Sequence, residues 1–409
     1  MNVLVALCPV GSEKIVGNEI KLLGYTLDTS AKNVAGRVSF LGDDKSLFRA
    51  NLCLRTADRV YLQVCRFPAP DFASLFDGVR AFSWQDFFKK DVKIVVDKVR
   101  SHKSTLSSVR SIQSVVQKAI YEKLGEAWGM RTLPESGTQA DVRVYIDSNE
   151  AQILLDLSGE PLHKRGYRTD GGAAPLRETV ASAMLQSVLW RRKMPLHDPF
   201  CGSGTILTEA ALFAYNVAPG FGRHFALEHL AIFNETDALE TRHEEAAKIR
   251  FDVECRITGT DIDSVAVERA KKNAEHALVS AGRALQEIGI SSHLVRPDFD
   301  VADFKDIAAP YENGVLLMNP PYGERLGSED EVSSLYRDMK SLFLSFPNWK
   351  IGVLTPFERF EECLTLHSTS KKVLRAGNLD TSFYIFDGKN IGKKHPCQKK
   401  SKKIAEDEY

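Results

Sequence analysis

The sequence predicts an α/β protein whose C-terminal half is a doubly wound, largely parallel sheet, preceded by two smaller α+β units. Short apolar runs alternate with long helical patterns across residues 169–388, which is typical of strands joined by helices. The residues before them carry strand and helix patterns in a different order. With 409 residues and a hydrophobic content of 43%, the chain is long enough for two or three domains with sizeable cores.

The first unit, residues 1–67, follows the order strand, helix, strand, strand, helix, strand. Strands are predicted at 3–7, 25–29, 34–41 and 59–67, and helices at 12–24 and 44–52. Ser12 suits the start of the first helix and Gly24 its end, because glycine adopts the left-handed conformation that closes many helices. This order of elements predicts a ferredoxin-like domain. No residue type in it points to catalysis.

The second unit, residues 68–168, contains a basic, hydroxyl-rich stretch that we predict to be a loop at 98–106, between a strand at 92–97 and an amphipathic helix at 109–124. Lys98, Arg100, His102 and Lys103 in this stretch are candidate RNA contacts. Hydroxyls and cations near a helix start can hold phosphate groups. A solvated connector would explain the same run of charges.

The glycine-rich segment at 159–172 is predicted to link the second unit to the third. Lys164, Arg165 and Arg168 form a second basic group there, beside Tyr167. Cations next to an aromatic ring suit RNA binding, and they also suit a simple hinge between domains.

In the third unit, residues 169–388, the letters DPFCGSGT at 198–205 precede a long helical pattern. Gly202 and Gly204 allow a tight turn and a close approach of the backbone to a ligand. The third glycine of a dinucleotide fingerprint and the Gly-Lys-Ser/Thr of a P-loop are both missing. The sequence therefore predicts a ligand-binding turn of another kind.

Three acidic residues, Asp261, Asp263 and Asp303, lie at or after the ends of later strands of this unit. Asp261 ends a short strand and could bind ribose hydroxyls, whereas Asp263 is expected to cap the next helix. Asp303 falls between Asp261 and the motif described next, in a loop that its carboxylate could cap.

Asn319-Pro320-Pro321-Tyr322 follows the apolar run at 315–318, which we predict to be a buried strand that the prolines end. Asn319 therefore lies at the carboxyl end of a strand, where open α/β sheets bind their ligands. The amide oxygen and the Pro320 carbonyl can accept hydrogen bonds from an exocyclic amine, and Tyr322 can stack on its ring. By itself, the stretch could also be a proline-rich turn.

The remaining composition excludes several classes of protein. The formal net charge is zero, so any nucleic-acid surface must be local. Seven scattered cysteines without a Cys-x-x-Cys pair argue against disulfides or zinc and fit a reducing cytoplasm. We expect no signal peptide, no membrane span and no metal. The lysine-rich tail at 389–409 is expected to be disordered.

The motifs DPFCGSGT, GTDID at 259–263 and NPPYGER at 319–325 resemble the glycine loop, ribose-binding acid and catalytic motif of S-adenosyl-L-methionine-dependent amino-methyltransferases. This resemblance implies a Rossmann-like class I methyltransferase domain and S-adenosyl-L-methionine as cofactor. The unit at 68–168 resembles a THUMP domain, an RNA-binding module. With HKRGYR at 163–168 and APLRET at 174–179, the whole chain resembles the UPF0020-type THUMP-containing methyltransferases of bacteria. These act at guanine N2 of large-subunit rRNA, and the match is to the N-terminal half of the bifunctional enzyme.

The resemblance also implies roles for individual residues. Catalysis is expected from Asn319, Pro320, Pro321 and Tyr322. Cofactor contacts are expected from Asp198, Pro199, Cys201, Gly202, Ser203, Gly204, Thr205, Asp261, Ile262, Asp303 and Asn319. Cys201 is expected to be a small packing residue and not a nucleophile.

Several alternatives stay open at this point. The expected partner is RNA, 23S rRNA first, but archaeal tRNA guanine-N2 enzymes share the architecture. NPPY also serves adenine-N6 methyltransferases acting on RNA or DNA. A noncatalytic RNA-binding assembly factor is the alternative from a different class.

Overall fold

The structure is a computed structural model, and it describes the chain except for residues 31–33, 169–174, 252–253, 255, 292–293, 323–327, 378 and 392–409. The predicted disordered tail therefore lies almost entirely outside the described residues, as do residues 323–325 of the NPPYGER motif.

The N-terminal region alternates strands and helices as predicted, with one large difference at the fifth strand. Its elements are β1 (Asn2–Leu7), α1 (Glu13–Leu22), β2 (Thr26–Leu27), β3 (Arg37–Gly42), α2 (Asp44–Cys53), β4 (Arg59–Pro68), α3 (Phe72–Arg80), β5 (Lys93–His102), α4 (Val109–Trp128), β6 (Gln139–Asp147) and β7 (Glu150–Asp156). Ser12 precedes α1, and Gly24 follows it with a φ of 90°, the left-handed conformation that glycine allows.

Within the described residues, these strands form one sheet of seven, in the order β2-β3-β1-β4-β7-β6-β5. The first four have the ferredoxin-like arrangement. Antiparallel pairing of β4 with β7 then extends the sheet directly into the second unit. One apolar core runs under both units, from Leu4 on β1 to Leu155 on β7. The two units are therefore halves of a single sheet and not separately packed bodies.

The predicted loop at 98–106 is wrong in its first half, because β5 continues to His102. Residues 98–102 pair in parallel with 143–147 of β6, after a register shift between Val96 and Lys98. The sequence pattern failed there because the shift breaks the apolar alternation, and charged residues occupy the exposed face of the continuing strand.

The C-terminal region contains the predicted alternation of helices and strands. Its elements are α5 (Glu178–Ser187), β8 (Leu196–Asp198), α6 (Thr205–Ala214), α7 (Glu235–Ala246), β9 (Ile257–Asp261), α8 (Ser264–Glu287), β10 (Asp298–Val301), β11 (Val315–Met318), α9 (Glu329–Ser345), β12 (Lys350–Thr355), α10 (Phe360–Leu364), β13 (Ser370–Val373) and β14 (Ser382–Asp387).

As far as the chain is described, this second sheet also has seven strands, in the order β10-β9-β8-β11-β12-β14-β13. Neighbours from β10 to β12 are parallel, and β14 is antiparallel to both strands beside it. This is the predicted doubly wound, mostly parallel sheet. The strand order reverses between β8 and β11, and the crevice at the carboxyl ends of such a pair is where open α/β sheets bind ligands.

The two regions are joined through buried contacts. Phe225, Leu227 and Leu230, which follow α6, belong to the apolar core of the first sheet. The Arg55 guanidinium donates to the Val217 carbonyl at 2.7 Å, and both groups lie at the junction. Among the described helices, none is long and apolar enough to cross a membrane.

Candidate active site

The loop between β8 and α6 has the tight turn that its glycines predict. Gly202 has a φ of 51° and Gly204 a φ of 76°, both in the left-handed region. A Cβ on Gly204 would lie 2.8 Å from the Ala270 Cβ, whereas one on Gly202 would meet open space. Gly204 is therefore required for close packing against α8, whereas Gly202 borders open space.

Asp261 connects the end of β9 to this loop. One carboxylate oxygen accepts from the Gly202 N–H at 2.8 Å, and the other accepts from the Asp263 N–H at 3.0 Å. Asp263 accepts from the Val265 N–H at 2.8 Å and so begins α8, in the capping role expected for it. Ile262, between the two acids, is 73% exposed. An exposed apolar side chain next to a strand-end carboxylate suits a flat base above and a ribose beside it.

Asp303 lies at the same edge of the sheet. Val301 of β10 is paired with Asp261, and the Ala302 N–H donates to the Asp261 carbonyl at 3.1 Å. The Asp303 carboxylate accepts from the Lys305 N–H at 3.0 Å, so it caps its own loop. The position suits the predicted cofactor contact, and the capping bond matches the alternative; both stay predictions.

Asn319 follows the fully buried strand β11. In that strand, Leu316 is paired with His197 of the neighbouring strand β8. Its side-chain Oδ1 is buried and has no hydrogen-bond partner among the described residues. Pro320 is buried, while Pro321 and Tyr322 are partly exposed. A buried acceptor without a partner costs stability unless a ligand supplies the donor. The backbone fixed by two prolines thus holds one acceptor ready at the crevice.

Burial governs the ionisable groups behind the loop. His197 lies between the hydroxyls of Thr258 (2.8 Å) and Thr260 (3.4 Å), and burial lowers its pKa to about 4. Burial also raises the pKa of Asp198 well above its usual range, and the charge of Asp261 adds to this. The Cys201 thiol is buried with a raised pKa, so the group stays neutral, as a packing residue would.

An aromatic cluster beside Asn319 was missed in the sequence. The Tyr336 hydroxyl and the Thr355 hydroxyl are 2.8 Å apart, and the Thr355 oxygen accepts from the Phe357 N–H at 3.1 Å. The rings of Tyr336 and Phe357 are 5.5 Å apart. Because β11 and β12 are paired, the Thr355 end lies next to Asn319. The signal was present, since Thr355-Pro356-Phe357 repeats the pattern of a strand ended by proline and an aromatic residue.

The linker arginines lie inside the protein and not on an RNA-facing patch. Arg165 is 4% exposed, donates to the Leu162 carbonyl at 2.6 Å and lies 3.5 Å from the Glu209 carboxylate. Arg168 points toward the glycine loop. Only Lys164 is exposed, and it pairs with Glu160. The RNA-binding prediction therefore does not fit Arg165, because a buried guanidinium cannot reach a phosphate. Arg168 is 18% exposed, but its Nη2 and Nε contact groups inside the protein, which argues against a phosphate contact there too.

The predicted RNA contacts on β5 are, in contrast, accessible. Lys98, Arg100 and His102 alternate along the strand and are exposed, and Lys103 follows them with a φ of 47°. His102 Nδ1 lies 3.1 Å from the Asp147 carboxylate. Their contact with RNA stays a prediction. In the described part of the chain, no group of three or more histidine, cysteine, aspartate or glutamate residues could hold a metal ion.

A glycine turn, a strand-end acid and an Asn-Pro-Pro-Tyr loop follow neighbouring strands where the strand order reverses. This arrangement is that of a class I methyltransferase that uses S-adenosyl-L-methionine. Three family models match the chain: the RlmL ferredoxin-like domain at 3–61, the THUMP domain at 69–156, and the RMKL-like methyltransferase domain UPF0020 at 165–385. The chain belongs to this family of THUMP-containing RNA methyltransferases.

Individual relatives agree with this placement. The chain is 39% identical to "Putative RNA methyltransferase YpsC" of Bacillus subtilis, over 94% of this chain and 95% of that protein. It is 31% identical to "Ribosomal RNA large subunit methyltransferase K/L" of Photobacterium profundum, over 93% of this chain but 52% of that protein, so it spans about half of that relative. A solved structure, SMU.472, "a putative methyltransferase complexed with SAH", superposes with a TM-score of 0.83 at 34% identity, covering 95% of this chain and 98% of that one.

Proposed function

We propose that this chain transfers a methyl group from S-adenosyl-L-methionine to the exocyclic N2 amine of a guanine in 23S rRNA. The observation that carries the proposal is the buried, unpartnered Oδ1 of Asn319 at the end of β11. An acceptor in this position can take a hydrogen bond from a substrate, and an exocyclic amine offers two N–H bonds.

The chain's own groups would act mainly by positioning. The amine lone pair of guanine is delocalised into the ring, so the amine must be turned and pyramidalised before it can attack. Asn319 Oδ1 and the Pro320 carbonyl would each accept one N–H bond, which directs the lone pair out of the ring plane. Tyr322 would stack on a base that has left its helix. The bound cofactor supplies an electrophilic methyl group on a sulfonium.

No titrating base is needed for this reaction, because the amine attacks as a neutral group and the methylated ammonium that results loses its proton to water. The neutral His197, buried behind the loop, is consistent with that. Asp261 and the glycine loop would hold the cofactor on the adjacent strand ends. The Asn319 loop leaves β11 and the glycine loop leaves β8, which are neighbours in the sheet, so the amine and the methyl group would meet between them.

RNA as the substrate is supported by the THUMP domain model and by the name of the relative YpsC. Ribosomal RNA is supported by the name of the K/L relative, of which this chain covers about half. Guanine N2 is supported by the motif order that the sequence shares with the guanine-N2 family. The geometry of an amine acceptor pair also suits adenine N6.

Methyl transfer from labelled S-adenosyl-L-methionine to purified nucleic acids tests the proposal. The substrates are 23S rRNA, 16S rRNA and tRNA from a strain lacking the gene, and DNA from the same strain. Label recovered as N2-methylguanosine in 23S rRNA alone is the expected result. N6-methyladenosine in RNA or DNA, or N2-methylguanosine in tRNA, would replace the proposal with the corresponding alternative. No transfer to any of the four would favour a noncatalytic assembly factor.

A further inference from the structure

The linker residues 163–168 contact the glycine loop at 198–205, called the cofactor loop below, through the side chain of Arg168. Arg168 Nη2 donates to the Thr205 hydroxyl at 2.8 Å and to the Leu176 carbonyl at 2.6 Å. Its Nε lies 3.0 Å from the Glu178 carboxylate. The guanidinium therefore bridges the start of α5, the start of α6 and the segment before α5.

Thr205 is the place where such a contact matters for the cofactor. It is the first residue of α6, directly after Gly204 in its left-handed conformation, and it is 5% exposed. The first N–H groups of a helix have no partner within the helix, and they form the usual anion-binding end of a glycine loop. Asn273 of α8 holds the other side of the loop by donating to the Ser203 carbonyl at 3.0 Å.

The linker itself is anchored, so Arg168 has a fixed base. Arg165, three residues earlier, contacts the Glu209 carboxylate of α6, and that carboxylate also accepts from the Ser182 hydroxyl of α5 at 2.7 Å. Tyr167 is buried, with its hydroxyl 3.4 Å from Glu209. Two consecutive helices of the methyltransferase domain are thereby tied to the linker that leads from the N-terminal sheet.

We propose that Arg168 is a positioning residue for the cofactor loop, acting through the Thr205 hydroxyl and touching neither the cofactor nor RNA. Only 18% of its side chain is exposed, and the three contacts above point inward. The inference depends on the cofactor and not on the base that is methylated, so it stands or falls separately from the proposed function.

Calorimetric titration of the full-length chain with S-adenosyl-L-homocysteine tests this. Arg168→Met removes the donors and keeps much of the side-chain volume, and we expect it to weaken binding about tenfold or more, the usual effect of losing a hydrogen bond to a charged group. The matched control is Arg191→Met, an exposed guanidinium between α5 and β8, which should bind like the unchanged protein. If Arg168→Met binds the probe normally, the proposal is overturned.

A double-mutant cycle with Thr205→Val decides whether Arg168 acts through Thr205. We expect the double variant to bind no more weakly than the weaker single variant, and Thr205→Ser, which keeps the hydroxyl, to restore most of the affinity. Additive losses would show that the two residues act independently and would overturn the proposal. Loss of RNA affinity at unchanged probe affinity would also overturn it. If Arg168→Met does not fold, Arg168→Lys, which can reach one acceptor only, replaces it in the same cycle.

Discussion

The two sheets of this protein present their candidate functional groups in opposite ways. The C-terminal sheet is parallel from β10 to β12, with helices over its faces, so side chains can meet a ligand only where strands end. The candidate site residues Asp261, Asp303 and Asn319 all follow such ends. In the N-terminal sheet, Lys98, Arg100 and His102 alternate along one exposed face of β5. Candidate residues at a strand end form a short contiguous motif in the sequence, whereas candidate residues on a sheet face are separated by intervening residues.

Asn319→Ala tests the strand-end half of this comparison and has the largest expected effect. It removes the acceptor but leaves both prolines and the cofactor loop. Because the contact should strengthen as the amine pyramidalises, we expect single-turnover methylation of 23S rRNA to slow by a hundredfold to a thousandfold, about 3–4 kcal/mol, with a much smaller loss of S-adenosyl-L-homocysteine affinity.

Tyr322→Ala is the matched control for this experiment. Stacking acts on the base before chemistry, so its loss should raise the RNA concentration needed for half-saturation more than it lowers the maximal rate. An Asn319→Ala enzyme that methylates RNA at the unchanged rate would reduce the motif to a strand end and remove the amine-methyltransferase assignment.

The pH dependence of unfolding tests whether the parallel sheet shields the buried His197 from water. Burial lowers its pKa from 6.5 to about 4, so the folded protein binds fewer protons than the unfolded chain within that window. Stability should therefore fall as the pH falls from 6.5 to 4, by roughly 3 kcal/mol from this group. Urea unfolding across this range should show a steeper loss for the unchanged protein than for His197→Gln. Equal slopes would mean that water reaches the imidazole.

The strand-end motifs predicted the parallel sheet, its glycine turn and the cap on α8, because each is a local consequence of a few adjacent residues. The length of β5 was not predictable in the same way, since the register shift between Val96 and Lys98 is set by the partner strand β6. The inward contacts of Arg165 and Arg168 were missed for a related reason. The Glu209 carboxylate that Arg165 contacts is 44 residues away along the chain, and the Thr205 hydroxyl that Arg168 contacts is 37 residues away. The sequence shows that a residue is charged, but only the fold shows which residues its side chain contacts.

Asp261→Ala should have the next largest effect. The carboxylate holds the Gly202 N–H and is expected to hold the ribose, so its loss should weaken S-adenosyl-L-homocysteine binding by about 1.5–3 kcal/mol. Asp263→Ala is the matched control, because it removes only the cap of α8. It should cost stability, by about 1 kcal/mol, and leave the affinity for the probe unchanged. Equal affinity in Asp261→Ala and the unchanged protein would take Asp261 out of the site.

The smallest effect is expected from the sheet face. Deleting the N-terminal region would not isolate it, since Phe225, Leu227 and Leu230 would lose the core they pack in. Replacing Lys98 and Arg100 together by alanine removes two exposed cations from β5. If both contact phosphates, RNA affinity should fall roughly tenfold and the slope of log affinity against log salt should decrease by about 2.

Replacing Lys118 and Lys123 of α4, on the helical side of the sheet, removes the same charge and should change neither quantity. Because phosphate contacts carry no base information, the loss should be equal for 23S rRNA and for an unrelated RNA. A larger effect from the α4 pair would place the RNA-binding surface on the helices and contradict the comparison between the two sheets. An effect confined to β5 would show that this sheet binds RNA through the exposed face of its strand.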